Sequence, residues 1–79
     1  SAGVGIVVSV SEDNFITVVS PIEGTPAAEA GIRTGDKIVQ VDETSYTGKQ
    51  MDDAVDKMRG EPNTDVILTI RRPFKDKAY

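Results

Sequence analysis

Short runs of β-branched residues, each closed by turn-forming residues, constrain this chain more than any other feature of its sequence. The runs occupy residues 4–10, 15–20, 37–41 and 65–71. Each has the length and composition of a β-strand, and Gly, Pro, Asn and Asp lie between them, where they favour turns. A chain of 79 residues can build only one small core. The pattern therefore predicts one small domain whose sheet is made of short strands, the first two joined as an antiparallel hairpin.

Two helices are predicted between the strands. In the first, over residues 25–31, Thr25 is the expected N-cap, Pro26 suits the first helical position, and Gly31 suits the left-handed residue that ends a helix. With a further short strand near residues 45–46, the predicted order is β-β-α-β-β-α-β. We expect a bent antiparallel sheet or partial barrel of about five strands, covered by the two helices.

The second helix is indicated by one apolar stripe at helical spacing: Met51, Ala54, Val55 and Met58. Thr47 and Gln50 have the spacing of a capping box, so the helix begins at one or the other. Gly60 and Pro62 end it. Without further context, such a stripe more often faces a core than a ligand.

Composition excludes several classes of function. Nine Lys and Arg against thirteen Asp and Glu give a net charge of −4, which disfavours nucleic acid as a partner. Cys and His are absent, so the segment holds no thiolate nucleophile, imidazole base or Ser-His-Asp triad. We expect no metal and no cofactor, and we interpret the acidic residues Asp52, Asp53 and Asp56 as a solvated helix face. No apolar run is long enough to cross a bilayer, so no membrane insertion by this segment is expected.

The glycines before the first strand are the first candidate binding feature. In Gly3-Val4-Gly5-Ile6, two glycines allow a sharp turn that exposes successive N–H groups, and such a nest binds anions, including a peptide carboxylate. Taken alone the motif is weak, and a flexible start of the chain is the more frequent interpretation. No helix follows directly and no Gly-Lys-Ser/Thr is present, so it is not a phosphate loop.

A longer signature follows over residues 20–38. Here Pro26-Ala27, Ala30-Gly31-Ile32, Gly35-Asp36 and Ile38 form the pattern Pro-Ala-x-x-Ala-Gly-Ile-x-x-Gly-Asp-x-Ile. In this pattern the sequence resembles a PDZ domain of the bacterial type. It is most similar to the PDZ domain of carboxy-terminal processing peptidases. Three features point to that group: the glycine motif before the first strand, residues 20–26, and Asp53-Ala54-Val55 followed by Met58-Arg59-Gly60.

The resemblance implies a fold and a set of domain limits. The domain is expected to span residues 3–72, with residues 73–79 forming a tail or the start of a further strand. In the processing peptidases the order of strands is often circularly permuted, so that the strand before the glycine loop is supplied from after the last strand. A permuted PDZ-like arrangement is therefore left open.

The resemblance also implies a peptide-binding groove. Such domains bind the C-terminal end of a protein, which adds as a strand between the first strand and the second helix. The carboxylate loop would be Gly3, Val4, Gly5 and Ile6, and the receiving strand edge would be Ile6, Val7 and Val8. Met51, Val55 and Met58 would form the helix wall, while Ala54 would face the core.

The side chains predicted to line this groove are all aliphatic or thioether groups. We expect C-terminal peptides with small or medium apolar ends as partners, bound with broad specificity because methionine side chains adapt their shape. At the position of Met51, some PDZ domains carry a His that forms a hydrogen bond to a Ser or Thr of the ligand. Met51 cannot form that bond, so we expect no selectivity for Ser or Thr and an apolar ligand residue two before the terminus. Many relatives also carry a basic residue upstream of the loop. Only Ser1 and Ala2 precede it in this sequence, so that basic residue is missing or lies outside this chain. We expect the backbone N–H groups to capture the carboxylate, with weak affinity.

The function implied is a non-catalytic regulatory module that captures substrate C-termini and presents them to, or regulates, a separate protease domain. Catalysis by a serine peptidase with a Ser/Lys dyad would lie outside this segment, since no Ser or Lys here stands in a recognisable nucleophile turn. The family implies a location in the periplasm or on the exterior of the cell envelope. Two alternatives remain: a PDZ module of another protease or secretion machine, and a scaffold or dimerisation domain that binds no free C-terminus.

Overall fold

The computed structural model describes residues 4–72. Its strands are β1 (Ile6–Val10), β2 (Ile16–Pro21), β3 (Lys37–Val41), β4 (Thr44–Ser45) and β5 (Leu68–Arg71). Its helices are α1 (Pro26–Glu29) and α2 (Met51–Arg59), and a 3-10 turn (Gly48–Gln50) leads directly into α2. Gly3 and the predicted tail at residues 73–79 lie outside the described part of the chain.

The five strands form one open antiparallel sheet. The order is β1-β2-β3-β4, and β5 pairs with β3. Strand β1 pairs with β2 along its whole length, from Ile6 opposite Pro21 to Val10 opposite Ile16. Within residues 4–72, no strand pairs with the other side of β1. The expected five-stranded antiparallel sheet with two helices is confirmed, and β1 is one of its edges.

The outer strands are shorter than their apolar runs suggested. β1 begins at Ile6 because the chain before it is held by other partners: the Val4 carbonyl accepts from the Ala27 N–H (3.1 Å), and the Gly5 carbonyl accepts from the Ile22 N–H (2.8 Å). β5 begins at Leu68. The preceding Ile67 bonds instead to the turn after β3, where its carbonyl accepts from the Asp42 N–H at 2.7 Å.

The core lies on one face of the central strands. Ile16 and Val18 of β2 are fully buried, as expected for alternate residues of a pleated strand. In β3 the fully buried residues are Ile38 and Val41, three positions apart, because the register shift between Ile38 and Gln40 interrupts the alternation. From α2, Ala54 and Met58 complete this cluster. Ala54 is fully buried, which confirms its predicted place against the core.

The helix ends follow the sequence signals with one exception. The capping box at the start of the 3-10 turn is present, with the Thr47 N–H donating to Gln50 Oε1 at 2.9 Å. Gly31 adopts the predicted left-handed conformation, with φ 89°. Thr25 precedes α1 but does not cap it with its side chain. Its hydroxyl donates instead to the carbonyls of Ile22 and Gly5, which ties α1 to the start of β1.

Candidate functional site

An apolar cavity of about 240 Å³ lies between the unpaired edge of β1 and helix α2. Its lining comes from the chain entering β1, from the end of β2 and from one side of α2: Val4, Gly5, Ile6, Val8, Ile22, Val55, Met58 and Arg59. Side chains at alternate positions of β1 point the same way, which places Ile6 and Val8 together at the cavity. Only Gly5 and Arg59 in this set lack an apolar side chain, so the site suits a small apolar group.

Gly5 forms the rim of the cavity with a backbone conformation that the sequence pattern anticipated. Its φ of 84° lies in the left-handed region, which glycine adopts without strain. A Cβ at this position would also overlap the Thr25 side chain. The carbonyls of Val4 and Gly5 are both bound by the β2–α1 segment. Within residues 4–72, the Gly5 N–H has no hydrogen-bond acceptor, so it can donate to a ligand.

Helix α2 supplies a wall whose residues are buried to different degrees. Val55 is half-buried and lines the cavity. Met58 lines it as well, but this residue is only 5% exposed and belongs to the core cluster. Met58 therefore forms the floor of the cavity and supports the core at the same time. Met51 is half-buried at the first turn of α2 and packs on the core without lining the cavity.

Val7 lies on the opposite face of β1. It stands opposite Ser20 in the sheet, and its side chain is 45% exposed. A register shift between Val7 and Val8 places the two residues on either side of a bulge. Val7 thus contributes backbone to the free strand edge, while its side chain points away from the cavity.

The structure thus brings together six of the nine residues singled out by sequence. The six are Val4, Gly5, Ile6, Val8, Val55 and Met58. Val7 and Met51 lie nearby without lining the cavity, and Gly3 lies outside the described residues.

Two further residues at the cavity were missed by the sequence analysis. Ile22 continues the β2 register beyond Pro21 and faces Gly5 through the N–H···O bond between them. The register of the hairpin would have placed Pro21 opposite Gly5, and the shift between Val7 and Val8 moves the pairing by one residue, so the sequence offered no clear signal for Ile22. Arg59 lies four residues after Val55 on α2, a spacing that places both on one helix face. Its guanidinium Nη1 is 3.1 Å from an Asp56 carboxylate oxygen.

A larger cavity of about 870 Å³ lies next to the small one and shares Val4, Met58 and Arg59 with it. It is bounded by α1, the last turn of α2, the 60–66 loop and β5. Its lining mixes apolar residues of β5 with charged residues that include Lys57, Asp42 and Arg72. Next to it, Asp36 is buried and accepts hydrogen bonds from Arg72, and this contact lowers the pKa of the Asp36 carboxyl. These groups hold the loop before β3 against the end of β5.

In the part of the chain from 4 to 72, no three His, Cys, Asp or Glu side chains are grouped so as to hold a metal ion. Neither helix there has the length and apolar character required to cross a bilayer.

Comparison with known proteins adds independent findings. The family model for the PDZ domain matches residues 17–72. A carboxy-terminal-processing protease of Bartonella bacilliformis is 48% identical over 75 residues, which are 95% of this chain and 17% of that protein. A probable CtpA-like serine protease of Staphylococcus aureus is 41% identical over 75 residues, 95% of this chain and 15% of that protein.

A solved structure extends the likeness to the fold. The photosystem II D1 C-terminal processing protease superimposes on 94% of this chain with a TM-score of 0.84 and 33% identity, and the match covers 20% of that chain. The sequence thus spans about a fifth or less of each of these relatives. Its similarity to them is confined to one module of a longer protein.

Proposed function

Since the chain belongs to the PDZ domain family, we propose that it captures the C-terminal ends of proteins by strand addition to β1. The observation that carries this proposal is the free edge of β1 beside α2, with an apolar cavity at the end of β1 where Gly5 lies. An extended peptide added at such an edge gains main-chain hydrogen bonds, and pockets for its side chains supply selectivity.

Under this proposal the peptide runs antiparallel to β1. An antiparallel partner of β1 ends where β1 begins, so its last residue reaches the cavity and its carboxylate reaches the rim at Gly5 and Ile6. Val8, Val55 and Met58 then surround the last side chain, and a small or medium aliphatic residue fits the volume of about 240 Å³. The side chain two residues before the end points in the same direction and approaches Met51 at the start of α2.

The names of the relatives support a role for such capture in proteolysis. Their names describe carboxy-terminal processing proteases, and this chain corresponds to a small part of their length. In the parent protein the module delivers substrate C-termini to a separate Ser/Lys protease domain and regulates that domain. The parent acts outside the cytoplasm, in the periplasm or at the exterior of the cell envelope. The module itself performs no chemistry.

A chemical-shift titration of the chain tests capture directly. The probe is a short peptide ending in free Ala-Ala, and its control is the same peptide with an amidated end. The expected result is a set of shifts at residues 4–8 and 51–58 that appears only with the free-acid peptide. A dissociation constant on the order of 10–1,000 μM is expected for the isolated domain. Equal shifts with both peptides, or none with either, would favour a scaffold or dimerisation role instead.

A further inference from the structure

Arg59 occupies a position that the proposed function does not yet use. Among residues 4–72, it is the one charged side chain that lines the cavity beside β1. It is also the last residue of α2, next to Met58 at the cavity floor. Lys57, two residues earlier, lines the larger cavity instead and lies 3.8 Å from the Asp42 carboxylate. Arg59 therefore borders both cavities, and of the two basic residues in this turn it is the one that reaches the cavity beside β1.

The present partner of Arg59 holds it only weakly. The ion pair with Asp56 joins residues three apart on one helix, and the two side chains are 53% and 75% exposed. Exposed pairs of this kind contribute little to stability, because water screens the charges and ordering both side chains costs entropy. A carboxylate that arrived at the less solvated cavity could therefore replace Asp56 at little cost.

The cavity also needs a positive charge if it is to hold an anion. The C-terminal end of a helix carries a partial negative charge of about half an electron, and the last turn of α2 lies against the cavity. The chain as a whole carries a net charge of −4. Both features oppose an incoming carboxylate. A guanidinium at this point offsets them, and its planar fork matches the two oxygens of a carboxylate.

We propose that Arg59 is a ligand-binding residue that leaves Asp56 and pairs with the terminal carboxylate of the bound peptide. This inference rests on the proposed function. It replaces the expectation that backbone N–H groups alone hold the carboxylate. The apolar end of the peptide enters the cavity, and its anionic group is held between the backbone at Gly5 and the guanidinium of Arg59. Asp56 serves as the resting partner of Arg59.

The test measures the affinities of free-acid and amidated Ala-Ala peptides for four forms of the chain: wild type, Arg59→Gln, Lys57→Gln and Asp56→Asn. Arg59→Gln should weaken binding of the free acid about three- to tenfold and leave the amide nearly unchanged. Lys57→Gln removes the same charge from the same helical turn and should change neither affinity by more than about twofold. Asp56→Asn releases Arg59 and should strengthen binding of the free acid by about two- to threefold.

The outcomes separate this inference from the function on which it rests. If the wild type binds both peptides equally or neither, C-terminal capture itself fails. If the wild type prefers the free acid and Arg59→Gln keeps that preference in full, only the role of Arg59 is overturned. Equal losses in Arg59→Gln and Lys57→Gln would also overturn it, because net charge would then explain the effect. Arg59→Lys, which keeps the charge but not the fork, should recover part of the preference and shows that the fold survives substitution there.

Discussion

The buried ion pair between Asp36 and Arg72 offers the sharpest test of how this small domain is held together. The Asp36 carboxylate is only 1% exposed. It accepts from Arg72 Nε at 2.7 Å, from Arg72 Nη2 at 2.9 Å and from the Arg33 N–H at 2.9 Å. Arg72 Nη2 also donates to the Gly31 carbonyl at 2.9 Å. The hydrogen bonds of Asp36 and Arg72 therefore join the end of α1, the loop before β3 and the end of β5.

Arg72→Met should destabilise the chain more than Asp36→Asn. The methionine leaves a buried carboxylate with only the Arg33 N–H as donor, which should cost about 3 kcal/mol at pH 7. Asp36→Asn leaves a guanidinium whose side chain is already 30% exposed, so water can solvate it, and about 2 kcal/mol is expected. For a domain of this size, 3 kcal/mol corresponds to a fall in Tm of roughly 12–24 °C.

Urea unfolding of the two single variants and of the double variant measures the coupling between the residues. The double variant should be less destabilised than the sum of the singles by at least about 1 kcal/mol, since removing Asp36 also removes the unpaired charge that Arg72→Met creates. Additivity within about 0.5 kcal/mol would refute the reasoning, because independent sites behave in that way.

The pH dependence gives a second check on the same pair. The hydrogen bonds from Arg72 lower the pKa of Asp36 below its usual 3.8. A carboxyl group with a lowered folded pKa stabilises the protein fully above its unfolded pKa, and this stabilisation is lost as the pH falls toward the folded value. The free energies of unfolding of wild type and Arg72→Met should therefore converge below about pH 4. A gap of constant size between pH 7 and pH 3 would contradict this.

Three glycine substitutions test the backbone geometry, one at the site, one as its control and one at the 3-10 turn. Gly5→Ala should raise the dissociation constant for the free-acid peptide at least about tenfold, because the methyl group overlaps the Thr25 side chain and the left-handed backbone is strained. The control is Gly24→Ala. Gly24 has a similar φ of 80°, and a Cβ added there would have nothing within 4 Å. This substitution should lower the free energy of unfolding by about 1–2 kcal/mol and leave the peptide affinity unchanged. Gly48→Ala would place a carbon 2.5 Å from Val10 Cγ1. Urea unfolding should therefore show a free energy of unfolding that is lower by about 1–3 kcal/mol. A value within about 0.5 kcal/mol of wild type would show that the 3-10 turn can shift to make room for the methyl group.

Local signals predicted most of the secondary structure. Strand β3 has the predicted limits, the capping box precedes α2, and Gly31 ends the α1 region in the left-handed conformation. These features depend on neighbouring residues alone, so the sequence carries them. The outer strand limits were wrong by two or three residues because long-range partners compete for the backbone. The bonds from Ala27 and Ile22 to the chain before β1 cannot be read from the composition of that segment.

The candidate site was predicted in outline and changed in its details. The glycine loop, the edge strand and the helix stripe were located by pattern and family resemblance. The pattern could not distinguish which residues of the stripe face the cavity, since a helix face of this width can touch both a core and a groove. Met58 does both, Met51 lies outside the cavity, and Arg59 enters it from a position that looked like an ordinary helix terminus.

The sequence by itself determined the size of the domain, the type of its segments, the absence of Cys and His chemistry, and the family to which it belongs. These are properties of composition and of spacing within about twenty residues. The tertiary structure alone decided that Ile22 lies opposite Gly5, that Met58 but not Met51 lines the cavity, and that Arg59 rather than Lys57 borders it. The first depends on the register shift in β1. The other two depend on how β1, β2 and α2 meet across some 30–50 residues of chain, and such packing is set by the whole core and not by any single segment.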